Sequence, residues 1–229
     1  GSSPWTPPIP GLDEVGFHTN ETIFELREKP KHLLVIGGGP IGLEMAQAHR
    51  RLGCEVTVLE AFKALVKDDP ELTAIALEAL RNEGIDIREG AKVASASRDG
   101  DQVTLEIEGQ APVTGDVILA AVGRRANVDK LNLEAAGIKT NRASIVVDKG
   151  LRTSNRKVYA IGDVAGAPWL AHKASHEGVV LVEKIAKDKG HKEITDVHPM
   201  DKGNIPGCTY CRPQVASVGM TEKAAIAAG

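Results

Sequence analysis

The sequence predicts an α/β fold in which a parallel sheet, built from a strand–helix–strand unit, carries an attached antiparallel meander. Three stretches support this. An apolar run, Leu33-Leu34-Val35-Ile36, enters the glycine turn Gly37-Gly38-Gly39-Pro40-Ile41-Gly42 and continues through a helical pattern into a second strand, Glu55–Glu60. So short a succession of strand, turn, helix and strand is a βαβ unit, whose two strands must run parallel. Residues 91–123 read as a meander about the turn Asp99-Gly100, with Val103, Leu105 and Ile107 alternating onto one face. Within it, Val117-Ile118-Leu119-Ala120-Ala121-Val122 is continuously apolar, as in a strand covered on both faces.

The remaining elements follow in order. Gly1–Gly11 holds Pro4, Pro7, Pro8 and Pro10, which favour an extended strip. Thr19–Lys31 reads as a short helix capped by Asn20 or Thr22 and closed by Pro30. Proline suits the first turn of the helix Pro40–Arg51, where Leu43, Ala46, Gln47 and Arg50 have helical spacing and Gly53 marks the end. Asp69-Pro70-Glu71 opens the next helix, with Leu72, Ile75, Ala76, Ala79 and Leu80 as its apolar stripe and Gly84 as its stop. A short strand is expected at Ile85–Arg88 and another at Val158–Ile161, ahead of Gly162-Asp163. Ala171–Gly190 is helical by spacing, and the polar stretch His191–Asn204 reads as a boundary. Cys208–Gly219 is strand material, and Thr221-Glu222 caps a last helix.

Composition narrows the function classes. At 229 residues and 42% apolar content, the chain can bury one or two cores. A net charge of −3 without a basic stripe, and only 3% aromatic residues, argue against nucleic acid as a partner. The longest near-apolar run, Leu33–Leu43, is interrupted by glycines and a proline and falls short of the ~18 residues of a membrane span. Gly1-Ser2-Ser3-Pro4 does not resemble a secretory leader, and the three cysteines Cys54, Cys208 and Cys211 fit a reducing compartment. The expectation is a cytoplasmic, globular protein.

Gly37-x-Gly39-x-x-Gly42 has the spacing of a dinucleotide-binding turn, and a strand before it, a helix after it and the acid Glu60 ending the next strand supply the context. Gly37 makes the tight turn, Gly39 lets the backbone approach a pyrophosphate, and Gly42 lets helix and strand pack closely. The N–H groups at the helix start, over Pro40, Ile41 and Gly42, and the positive end of the dipole would hold the phosphates. Glu60 would accept hydrogen bonds from the adenine ribose and repel a 2′-phosphate, and Ala61-Phe62-Lys63 contains no arginine, so NAD is expected over NADP. The plainer alternatives are a glycine turn that binds nothing and a solvated strand-end acid.

Together these motifs resemble the FAD-dependent pyridine nucleotide–disulfide oxidoreductases. The resemblance is carried by Gly1–Pro4 with Pro8-Ile9-Pro10-Gly11, by Gly37–Glu44, by Ala121-Val122-Gly123-Arg124-Arg125, and by Val158–Asp163 with Leu170–Ala174 and Glu177-Gly178. Ile205-Pro206-Gly207 through Pro213–Glu222 resembles the start of the family's dimerisation domain. The stretch Leu170-Ala171-His172-Lys173-Ala174…Glu177-Gly178 is most similar to the dihydrolipoyl dehydrogenase branch, which oxidises dihydrolipoyl groups on the lipoyl-bearing subunit of 2-oxo acid dehydrogenase complexes.

The resemblance implies a Rossmann-like NAD-binding domain at residues 31–148. It places the end of a FAD-domain part and a linker at 1–30, the returning part of that discontinuous FAD domain at 149–200, and the start of an α+β dimerisation domain at 201–229. It further implies that Gly162-Asp163 meets the FAD ribitol, that Leu170, Ala171 and His172 face the flavin through their backbone, that Glu44 lies near the flavin–nicotinamide contact, and that Gly123 and Arg124 form a second nucleotide turn. Read from the residues alone, Asp163 could equally be a turn or cap aspartate. By the same resemblance, electrons would pass from a dithiol through a Cys-x4-Cys disulfide and FAD to NAD⁺ in a homodimer. That cysteine pair would precede Gly1 and a catalytic His-Pro would follow Gly229, so the chain reads as a middle slice that cannot complete disulfide exchange alone. Gly1-Ser2 would be the tail of an Ala-Thr-Gly-Ser motif or a cloning remnant. Other branches (glutathione or mercuric reductase, soluble transhydrogenase) and a non-catalytic nucleotide-binding module are the rival readings.

Two motifs are read as decoys. Cys208-x2-Cys211 lacks a second ligand pair for zinc, so no metal is expected, and residues three apart on a strand point to opposite faces. His198-Pro199 precedes the dimerisation motif rather than closing it and reads as loop.

Overall fold

A computed structural model describes residues 1–141, 143–194 and 196–229. They form two compact units: Pro4–Gly123 with Pro206–Gly229, and Gly1–Ser3 with Arg124–Ile205.

The larger unit is built on the predicted βαβ. Strand β1 (His32–Ile36), helix α1 (Pro40–Arg51), strand β2 (Glu55–Glu60), helix α2 (Pro70–Asn82) and strand β3 (Asp86–Glu89) follow one another. Three antiparallel strands come next: β4 (Val93–Asp99), β5 (Gln102–Ile107) and β6 (Gln110–Gly115). Strand β7 (Val117–Ala120) then returns to pair with β1, giving a four-stranded parallel sheet of order β3-β2-β1-β7. Central β1 is dry on both faces, with Leu33, Leu34 and Val35 fully buried, which is why its sequence is an unbroken apolar run. The same burial draws Val117–Ala120 out of the predicted meander, which stops at Gly115. Asp116 directs this change of sheet by accepting the N–H groups of Lys31 and His32, both at 2.8 Å.

Two local readings are corrected. Thr19–Lys31 is not a helix but contains one 3₁₀ turn, Ile23–Glu25. Within the turn only Ile23 is buried while Phe24 is 74% exposed, and Leu26 is only partly buried, so no continuous apolar face rewards a longer helix. Thr22 Oγ1 instead accepts the Thr19 N–H and Thr19 Oγ1 the Glu21 N–H, local bonds that compete with helical ones. Helix α2 forms where expected, but its buried face is Thr73, Ala76, Leu77 and Leu80, with Leu72 and Ile75 exposed. Both sets have helical spacing, and only packing chooses between them. Asp69 does occupy the N-cap, yet its carboxylate accepts the Glu222 N–H at 3.2 Å rather than one in its own helix.

The C-terminal stretch is a hairpin, β8 (Gly207–Thr209) with β9 (Val215–Ser217), followed by the helix Glu222–Ala228, capped by Thr221 as expected. The hairpin docks on α1. Gln47, 4% exposed, donates its amide N–H to the Arg212 carbonyl at 3.0 Å and accepts the Arg212 N–H at 2.8 Å. Glu44 accepts the Tyr210 N–H at 2.8 Å, and Cys211 and Val215 join the apolar core formed by α1, α2 and the sheet.

In the smaller unit, helix α3 (Ala171–Asp188) confirms the expected helix over nearly its whole length. A short antiparallel pair, Thr140–Asn141 with Ser144–Ile145, and a small core of Ile138, Ile145, Ala160 and Ala165 accompany it. Val158–Ile161 is not a strand: it makes a single bridge, Tyr159 to Arg152. An apolar run with one bridging partner cannot form a ladder. Among the described residues, no helix is long and apolar enough to cross a membrane.

Glu83, at the end of α2, ties the two helices together. It accepts from Arg51 at 2.8 and 2.7 Å and from Gln47 at 2.8 Å. The Arg51 guanidinium, against a smaller opposing effect of burial, holds its carboxyl below the usual range. A folded-state pKa below the unfolded one gives stability that is present above the unfolded value and lost as pH falls through the folded value. The urea midpoint of the wild type should therefore exceed that of Glu83→Gln near neutral pH, and the difference should shrink as pH falls below about 4.3. A pH-independent difference would mean that the charge of Glu83 is immaterial.

Candidate functional site

The glycine turn joins the carboxyl end of β1 to the amino end of α1, at the centre of the parallel sheet. Its three fingerprint glycines meet three different surroundings. A Cβ on Gly42 would stand 2.0 Å from the Gly37 carbonyl oxygen, so helix and turn can approach this closely only with glycine there. Gly37 has φ +110°, and a Cβ on it would fall 2.5 Å from the Ala121 carbonyl oxygen. A Cβ on Gly39 would meet nothing within 4 Å. Gly39 is therefore not demanded by packing; it leaves open space beside the backbone at the helix start. Proline occupies the first helical position, and the N–H groups of Ile41 and Gly42 in that turn lack intrahelical acceptors.

Glu60 ends β2, and the register Ile36↔Leu59 brings it beside this turn. Its Oε2 accepts the Gly38 N–H at 2.7 Å and its Oε1 the Phe62 N–H at 2.8 Å. Two backbone donors thus fix the carboxylate, while each oxygen keeps a lone pair for another donor such as a sugar hydroxyl. Gly38 has a role the fingerprint spacing did not disclose: a Cβ there would sit 3.0 Å from the Cβ atoms of Glu60 and Ala64. Glu44 lies on α1 with its carboxylate on the Tyr210 N–H, so the structure brings it to the hairpin. Gly123 accepts the Trp5 N–H at 3.0 Å.

The smaller unit holds the other group of expected residues. The Ser2 hydroxyl donates to the Asp163 carboxylate in a short hydrogen bond and accepts from Arg124 Nε at 2.7 Å, while Arg124 Nη2 donates to the Ser2 carbonyl at 2.6 Å. Asp163 sits in the 3₁₀ turn Gly162–Ala165. Leu170 is the extended N-cap of α3, and Ala171 and His172 form its first turn at the positive end of the dipole.

Sequence reasoning gave Lys173 and Glu177 no role. Both side chains are 0% exposed, with Nζ 3.2 Å from Oε1. An i, i+4 Lys–Glu pair ordinarily marks a solvated helix face, so the one sequence signal was that this pair shares helical spacing with Val180, which is buried with it.

The cysteine decoy reads differently in three dimensions. Cys208 lies on β8, but Cys211 lies beyond the strand in the hairpin turn and is 3% exposed. Burial, then the nearby Glu44 carboxylate, pushes the Cys211 thiol up to about 12.

The family model of the pyridine nucleotide-disulphide oxidoreductases matches residues 1–178. A dihydrolipoyl dehydrogenase of Rhizobium etli is 46% identical over 84% of this chain and 40% of its own length. A mercuric reductase of Bacillus cereus is 36% identical over 98% of this chain and 35% of its own. Among solved structures, the HOCl-induced flavoprotein disulfide reductase RclA from Escherichia coli superposes with a TM-score of 0.89 at 30% identity, covering 100% of this chain and 52% of that one. The chain thus spans about half or less of these relatives.

Two outcomes follow from this geometry. Gly39→Ala should leave the melting temperature unchanged while weakening NADH binding about tenfold or more by filling the approach to the backbone. Gly42→Ala should lower both; equal melting losses for the two would refute the division of roles, which NADH titration and thermal melts would read. At pH 8, iodoacetamide should label Cys208 well before Cys211 by peptide mass mapping, because only the thiolate reacts; prior labelling of Cys211 would contradict its buried, protonated state.

Proposed function

The chain belongs to the pyridine nucleotide-disulphide oxidoreductase family, and we propose that its parent protein is a dihydrolipoyl dehydrogenase that uses NAD⁺. The family binds FAD and a pyridine nucleotide. The observation that carries the proposal is the Glu60 carboxylate, held by two backbone N–H groups beside the open Gly39 backbone. In this reading the N–H groups of Ile41 and Gly42 hold the pyrophosphate. Glu60 accepts the adenine ribose hydroxyls and repels a 2′-phosphate, and the absence of arginine from Ala61-Phe62-Lys63 favours NAD over NADP.

The smaller unit supplies a share of the FAD site. Asp163 accepts a hydroxyl of the ribitol, a role suited to a carboxylate oriented by the Ser2 hydroxyl. The start of α3 at Leu170–His172 directs its positive dipole end toward negative charge. Bound FAD supplies the two-electron step between a disulfide and the nicotinamide, and the protein sets the geometry of that transfer. The choice of branch rests on the 46% identity to a dihydrolipoyl dehydrogenase against 36% for a mercuric reductase. With it come a lipoyl-bearing subunit as partner, a homodimeric assembly through the domain that Pro206–Gly229 begins, and a cytoplasmic location, which three cysteines without a disulfide fit.

The full-length protein should reduce NAD⁺ with dihydrolipoamide, followed at 340 nm. Mercuric-ion-dependent NADPH oxidation without that activity would overturn the proposal. Glu60→Arg should weaken NADH binding by about 1–3 kcal/mol through lost charged hydrogen bonds; unchanged NADH titration would remove Glu60 from the site.

A further inference from the structure

The buried pair Lys173–Glu177 has no part in the function described so far, yet its hydrogen bonds among the described residues converge on the turn Gly162–Ala165 and on Gly166, which caps it. Lys173 Nζ donates to the Gly162 carbonyl at 3.0 Å and to the Gly166 carbonyl at 2.8 Å, and its remaining direction faces Glu177 Oε1 at 3.2 Å. Glu177 Oε2 accepts the Gly162 N–H at 2.6 Å. Two of the three ammonium donors are thus spent on backbone carbonyls, and Glu177 Oε1 holds the cation as an ion pair without a hydrogen bond of its own. The 3₁₀ turn Gly162–Ala165 is therefore gripped at both ends, by a cation on the carbonyl of its first residue and on that of Gly166 just after it, and by an anion on its leading N–H. Between those points stands Asp163, and nothing else in the turn is titratable.

The energetics favour a positioning role over a stabilising one. Removing two ions from water costs several kcal/mol each, so an apolar pair of similar volume is often as stable as a buried ion pair. What an apolar pair cannot do is hold two carbonyls and an N–H in fixed directions. We propose that Lys173 and Glu177 are positioning residues for FAD binding: through the backbone of Gly162 and Gly166 they fix the turn that presents the Asp163 carboxylate. The proposal rests on the reading of Asp163 as a FAD contact.

The test is a double-mutant cycle on the full-length protein, stripped of FAD and titrated with it. Lys173→Met/Glu177→Leu removes both charges together and leaves neither unpaired. It should weaken FAD binding about tenfold or more where Asp163 is intact and less than about threefold in an Asp163→Ala background, since coupled residues do not add. NADH affinity, which belongs to the other unit, should stay unchanged in every variant. Glu177→Gln, a smaller change, should give the same dependence on Asp163 and serves if the double variant does not fold. Equal losses in both backgrounds would show that the pair acts apart from Asp163 and would overturn the proposal, as would no loss at all. If Asp163→Ala alone binds FAD as tightly as wild type, the FAD reading of Asp163 fails and takes this proposal with it, an outcome the single variant identifies by itself.

Discussion

The larger unit depends on one close approach between backbones. The Gly37 carbonyl lies so near residue 42 that a side chain there would overlap it, at 2.0 Å from a Cβ. Absence of that side chain lets α1 start directly at the end of β1, so the helix amides and dipole meet the solvent opening beside Gly39. Sheet order completes the arrangement. With β2 next to β1 and Ile36 level with Leu59, the residue that follows Leu59 must come to rest beside the turn. Glu60 then reaches the Gly38 N–H without any adjustment of the chain between them. The same helix also seats the C-terminal hairpin, where Glu44 accepts the Tyr210 N–H and Gln47 bonds the Arg212 backbone in both directions. Displacing the start of α1 would thus disturb both the site and the seating of the hairpin.

Much of this was legible because the relevant signals are local. Apolar runs, a glycine spacing and a strand-end acid lie within one stretch of chain, and the parallel pairing follows from the short connection. What escaped was decided by packing between distant segments. Leu72 and Ile75 share helical spacing with the residues of α2 that are buried, and only the position of the sheet shows which face turns inward. Val117–Ala120 belongs to the parallel sheet because β1 has a free edge to offer, a fact about residues far back in the chain. Thr19–Lys31 has cap residues but too little apolar surface to make a helix worth forming, and Val158–Ile161 has strand composition without a partner strand. The site shows the same division. Glu60 and the fingerprint glycines follow from spacing, whereas the attachment of Glu44 to Tyr210 joins residues far apart in sequence.

The two units hold a carboxylate in different ways. In the larger one, Glu60 is fixed by backbone N–H groups that regular structure supplies at the end of a strand. A sheet of this kind is stiff, so the acid needs no further support. The smaller unit offers no such frame around Asp163, since the run before it makes a single bridge and the turn that bears it is only Gly162–Ala165. Short 3₁₀ turns have weak internal hydrogen bonding, and a turn of that kind holds one shape only if something outside it fixes its ends. Apolar packing resists compression but is nearly indifferent to small rotations, whereas hydrogen bonds to carbonyls and amides are directional. A fully desolvated ion pair on one face of α3, whose hydrogen bonds go to the backbone of Gly162 and Gly166, supplies that direction where secondary structure does not. On the proposed positioning role, that need accounts for two ions at 0% exposure in an interior that could have been filled with leucine and methionine.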